Sequence, residues 1–109
     1  MIEVLLEGFN IRVGTNKEEN DCLVRESDPE DYWVHISNYP SAHAIIKSHA
    51  KGKFPLKQIK QACIIVKNGS TKCKSIHKLQ FDITKVKFIE TTSHTGMVNI
   101  TKLLRNINI

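Results

Sequence analysis

Residues Asp31 to Lys47, DYWVHISNYPSAHAIIK, hold the only tryptophan of the chain and two of its five histidines, and they constrain the fold more than any other stretch. Trp33–Ile36 and Ala44–Ile46 are β-branched or aromatic runs, and Ser37-Asn38-Tyr39-Pro40-Ser41 between them is turn chemistry, so the stretch predicts a β-hairpin. A side-chain period of two puts Trp33 and His35 on one face and Val34 and Ile36 on the other, while His43, Ile45 and Lys47 share a face of the second strand. Trp33, His35 and His43 should therefore gather on one side, next to the acidic Asp31. Buried imidazole and indole nitrogens each need a hydrogen-bond partner, so this side has more polar capacity than an apolar core uses. The residues alone leave two readings open. In one, Trp33 is core, His35 bonds to backbone and His43 caps a turn; in the other, the same groups face a ligand.

The remaining chain supports a sheet. At 109 residues it is expected to be one domain, residues 1–109, with a single core. Ile2–Leu6 and Ile11–Val13 read as an opening hairpin with Gly8-Phe9-Asn10 as its turn, and Thr15-x-x-Glu18 opens a short helix to about Val24, with Asn16 and Glu19 as the alternative cap. Asp28-Pro29 breaks that helix. After a basic loop at residues 47–53, which contains His49, Pro55 starts the clearest helix of the sequence. On its wheel Leu56, Ile59, Ala62, Cys63, Ile65 and Val66 form an apolar half, Lys57, Lys60, Gln61 and Lys67 a polar one that includes Ile64, and Asn68-Gly69 is the stop. Apolar parity switches near Asp82-Ile83-Thr84, which predicts a bulge or bend between two short strands, and further strands are expected at Met97–Ile100 and Asn106–Ile109. The expected class is α+β, a largely antiparallel sheet packed by one short and one longer helix.

Charge narrows the range of partners. The formal net charge is +5, but it is unevenly spread: residues 1–46 carry nine acidic side chains against three basic ones, and residues 47–87 eleven lysines against Asp82 alone. Such a polarity suggests a one-sided basic surface and an anionic partner. Cys22, Cys63 and Cys73 are odd in number and lack C-x-x-C spacing, which suits reduced thiols in the cytoplasm better than a disulfide framework or a zinc knuckle. The acidic MIEVLLEG start does not read as a secretory leader, and no apolar run is long enough to span a membrane. No cofactor is expected. His35, His43 and Asp31 match no established metal spacing, so no metal is expected either.

Asp31-Tyr32-Trp33-Val34-His35 resembles the Asp-x-Trp-x-His motif of the NFACT-R domain, the RNA-binding module of ribosome-quality-control NFACT proteins and of small free-standing proteins. Val13-Gly14-Thr15-Asn16, Asn20-Asp21 and Pro40-Ser41-Ala42-His43 follow the order of the family's other segments, as do Asp82-x-Thr84-x-Val86 and Gly96-Met97-Val98 near the end. Thr15 stands where the family has arginine, and Ser41-Ala42 where it has Gly-Ser. The resemblance implies the same α+β fold, in a free-standing version, and a non-enzymatic RNA-binding module acting on tRNA or ribosomal RNA. On this reading the contacts come from Asp31, Trp33, His35, Ser41, His43 and Lys47, with Tyr32 and Tyr39 as further stacking planes, and from Lys57 and Lys60 on the outer helix face through phosphate neutralisation. His35 and His43 would also gain charge and tighten binding between about pH 8 and 6. Two alternatives stand beside it. One is a protein-interaction module docking on a ribosome or an NFACT-like partner. The other is an RNA-processing enzyme with His35 and His43 as acid and base and Asp31 orienting an imidazole.

Overall fold

The computed structural model describes residues 1–37, 39, 41–47, 54–70, 73, 75–76, 78–95 and 97–109. The expected basic loop beyond Lys47, including His49, lies outside the described residues. In chain order the elements are β1 (Ile2–Leu6), β2 (Phe9–Gly14), α1 (Lys17–Glu26), β3 (Tyr32–Ile36), β4 (His43–Ile46), α2 (Leu56–Asn68), β5 (Gln80–Lys85), a 3-10 turn (Val86–Phe88), β6 (Ile89–Thr91), β7 (Val98–Ile100) and β8 (Arg105–Asn108). One six-stranded sheet runs β1-β2-β4-β3-β5-β8, with every neighbour antiparallel, and β6 and β7 form a separate two-stranded ribbon. The α+β class expected from the sequence is the observed one.

The sheet is covered on both faces. On one, Ile59, Ala62, Cys63 and Val66 of α2 pack on Ile11, Val13, Val34, Ile36, Ala44, Ile46, Phe81 and Ile83. On the other, a smaller cluster joins Trp33 and Ile45 of the sheet to Leu23 and Val24 of α1 and to Val86, with Ile89, Val98 and Ile100 of the ribbon partly buried against it. The central hairpin is as predicted, in the register Tyr32↔Ile46, Trp33↔Ile45 and Val34↔Ala44. Its strands read as unbroken apolar runs because both of their faces are buried.

Several local expectations change. The first hairpin turns at Glu7-Gly8, not Gly8-Phe9-Asn10: their φ of 48° and 83° make the two-residue loop whose twist matches that of paired strands, and Phe9 and Asn10 join β2. The cap of α1 is the alternative one, Asn16 with Glu19, rather than Thr15; the Asn16 side chain accepts the Glu19 N–H at 2.9 Å, while Glu19 Oε1 accepts the Thr15 N–H at 2.9 Å. That helix continues past Val24 to Glu26, where the Ser27 hydroxyl closes on the Leu23 carbonyl. There is no bulge at Asp82–Thr84, since β5 pairs without interruption. The parity switch arises because even-numbered Thr84 and Val86 are buried on the face opposite Phe81 and Ile83, Val86 opening the 3-10 turn that redirects the chain into β6. Lastly, Leu56 is exposed where the wheel placed it inside, and Gln58 is buried with its amide donating to Glu7 Oε2 at 3.1 Å.

Candidate nucleic-acid interface

β3 and β4 end on an open cleft of about 1050 Å³, which also meets the N-terminus of α1, the C-terminus of α2 and the tip of the β6–β7 ribbon. His35 and His43 line it, alternation having placed both imidazoles on the tryptophan side of the sheet. The Trp33 ring lies 4.4 Å from His35 and 5.0 Å from His43, centroid to centroid, and the two imidazoles are 5.8 Å apart. The expected gathering of these three side chains is present.

Each histidine is positioned by a partner from another element. His35 Nε2 lies 2.8 Å from Asp82 Oδ2, and the Ser37 hydroxyl donates to Asp82 Oδ1 at 2.6 Å. Asp82, directly opposite His35 in the β3–β5 register, therefore does the orienting that the sequence reading assigned to Asp31. Asn20 of α1 accepts the His43 N–H on Oδ1 at 3.1 Å and donates from Nδ2 to the Ser41 carbonyl at 3.4 Å, tying the helix to the hairpin. Ser41 Oγ accepts the Ile36 N–H at 3.2 Å, and Ser70 Oγ at the end of α2 accepts the Ala42 N–H at 3.1 Å.

Burial sets the electrostatics of the floor. It pushes the His43 imidazole down to about 3, with His35 adding a smaller push in the same direction. The His35 imidazole is also lowered by burial, which outweighs the opposing hydrogen bond to Asp82. Both rings are thus neutral near pH 7, and His35 donates to Asp82 as a neutral N–H. His43 Nδ1 and Trp33 Nε1 are buried without a hydrogen-bond partner among the described residues. The expected rise in charge between pH 8 and 6 is therefore absent from His43 and lessened at His35, because a proton placed on either ring would be held where water solvates it poorly.

The other proposed contacts separate. Trp33 is 0% exposed and so is core rather than a platform open to a base. Asp31 is buried as well; its Oδ2 accepts the Asp28 N–H at 3.1 Å and staples the turn before β3. Lys47 pairs with Asp28 beside a second, smaller hollow near the C-terminus of α1, away from the histidines. Lys57 is exposed and pairs with Glu7 at 2.6 Å, and both Lys57 and exposed Lys60 lie roughly 14–18 Å along α2 from the Gly69 that borders the cleft. Of the proposed set, the cleft collects His35, Ser41 and His43. Tyr39 joins them at the rim, together with Thr15, Asn16, Lys17, Asn20, Ser70 and His94. The roles of Asn20 and Ser70 were missed, because a hydrogen bond between residues far apart in sequence leaves no periodic trace.

Gly14 makes this arrangement sterically feasible. A Cβ there would lie 2.4 Å from Asn20 Oδ1 and 2.9 Å from Asn20 N. Gly14→Ala should therefore cost about 1–3 kcal/mol in urea unfolding and should displace the His43 amide resonance; normal stability would remove the close approach as the reason for glycine.

Comparison with other proteins bears on what the cleft is. The coiled-coil domain-containing protein 25 homolog of Dictyostelium discoideum is 32% identical over 66 residues, 57% of this chain and 32% of that protein. Coiled-coil domain-containing protein 25 of Bos taurus is 37% identical over 41 residues, 38% of this chain and 20% of that one. The chain thus spans about a third or less of the length of these relatives. The C-terminal part of the fibronectin/fibrinogen-binding protein of Streptococcus suis superposes with a TM-score of 0.81 at 20% identity, over 98% of this chain and 43% of that one, and so shares the fold. The sequence pattern described as the NFACT protein RNA binding domain matches residues 4–101, which include every strand and helix that borders the cleft. With nearly its whole length matched, the chain belongs to the family of NFACT RNA-binding domains.

Proposed function

We propose that this RNA-binding module takes tRNA or ribosomal RNA in a translation or ribosome-quality-control setting in the cytoplasm, and that the His35–His43 cleft is its main contact surface. The observation that carries this reading is the cleft itself, which brings His35, Ser41 and His43 of the motif together with hydroxyl and amide side chains from three other elements, an exposed tyrosine and Lys17. Neutral imidazoles, hydroxyls and amides suit hydrogen bonds to ribose and base edges, and Tyr39 offers a plane for an unpaired base. Binding is favoured over phosphodiester cleavage because two imidazoles both held neutral supply no charged acid at neutral pH. Asp31, Trp33 and Lys47 act as its structural support, and Lys57 and Lys60 as a distant basic face.

The test is a titration of labelled tRNA and ribosomal RNA fragments over a salt series. Tyr39→Ala should weaken binding by about 1–3 kcal/mol, and Lys17→Gln should lower the slope of log K against log salt by about one, both with normal melting temperature. Unchanged affinity in both would remove the cleft from the footprint. Ribosome co-sedimentation that survives RNase would favour docking through protein instead.

A further inference from the structure

Several cations of this protein are matched by carboxylates: Lys57 with Glu7, Lys47 with Asp28, Arg25 with Asp21, Arg12 with Glu3. The end of the sheet away from the cleft combines such pairs with aromatic rings. There the Arg105 guanidinium lies 4.1 Å from the centre of the Phe54 ring, Phe54 meets Tyr32 edge-on at 5.3 Å, and Lys85 Nζ stands 5.8 Å over Tyr32. Glu30 links this row to a second one, bridging Lys85 at 2.6 Å and Lys87 at 2.7 Å. Lys87 and Lys102 then both sit over Phe88, at 5.4 and 5.3 Å. Four cations are thus laid on aromatic rings along one ridge, and Glu30 pairs with two of them, Lys85 and Lys87.

We infer that this ridge is a further RNA-contact surface, which takes an unpaired segment of the bound RNA. The inference rests on the chain binding RNA but not on the cleft being where it does so. Uncompensated positive charge attracts any polyanion, and the rings decide which kind. Cations held on aromatic faces are ordered before binding, so fewer side-chain rotamers are lost on contact. Exposed Arg105 offers a planar guanidinium for base stacking, which an acidic peptide cannot use and a stacked duplex does not present.

The experiment is fluorescence anisotropy of the full chain with a short single-stranded RNA and a blunt hairpin of the same composition. The double variant Arg105→Gln/Lys102→Gln should weaken single-strand binding about tenfold, lower the salt slope by about two and affect the hairpin less. Glu30→Gln should tighten single-strand binding severalfold, because it releases Lys85 and Lys87. Unchanged single-strand affinity in both variants overturns the inference, as does an equal loss for hairpin and single strand. So does retention of RNA binding alongside loss of polyglutamate binding, which would assign the ridge to an acidic protein. Silent Tyr39→Ala and Lys17→Gln with active ridge variants would sink the cleft and leave the ridge standing; a wild-type chain that binds no RNA sinks both.

Discussion

Trp33→Ala should cost about 3–5 kcal/mol of folding stability, out of a total on the order of 5–15 for a domain of this kind. Trp33 is the largest side chain of the second core cluster, where Leu23, Val24, Ile45 and Val86 are its buried neighbours. That cluster seats α1 and the β6–β7 ribbon on the sheet, so truncation would loosen two of the four walls of the cleft. Thermal unfolding should show the midpoint falling by more than about 10 °C. Trp33→Phe keeps most of the apolar volume and should fall much less. If Trp33→Ala melted like the wild type while RNA affinity dropped, the indole would be a stacking platform after all, and its burial here would be wrong.

Acid should destabilise the fold through His43. An unfolded histidine titrates near 6.5, whereas the native His43 imidazole is pushed down to about 3 by burial. Its native pKa is the lower one, so its stabilising contribution is complete above about pH 6.5. Below that the unfolded chain takes up a proton that the native state refuses, and stability is lost progressively as pH falls toward about 3. The slope is about 1.4 kcal/mol per pH unit, so unfolding free energies from urea titrations at pH 7 and 5 should differ by about 2 kcal/mol from this residue alone. His35, also lowered by burial, acts in the same direction. His43→Gln should flatten the profile; a variant as acid-sensitive as the wild type would falsify the assignment. For binding, any tightening between pH 8 and 6 should persist in His43→Gln, because this imidazole is neutral across that range.

The legible part of this protein was what depends on local periodicity. Alternation in Trp33–Ile36 and Ala44–Ile46 determined which side chains share a face, so the meeting of Trp33, His35 and His43 could be read directly. The wheel of residues 56–68 determined the buried side of α2, and the order of the motifs determined the family. The tertiary structure decided everything that depends on what packs across a gap in sequence. Whether Trp33 faces ligand or core turned on α1 and the β6–β7 ribbon closing over it, and alternation places a residue on a face without saying what covers that face. The partner of His35 turned on strand order, since β5 lies beside β3 and puts Asp82, not neighbouring Asp31, opposite the imidazole. The charge state of His43 turned on depth, because the free energy of an imidazolium depends on how much water its surroundings exclude, and that is a property of the assembled fold.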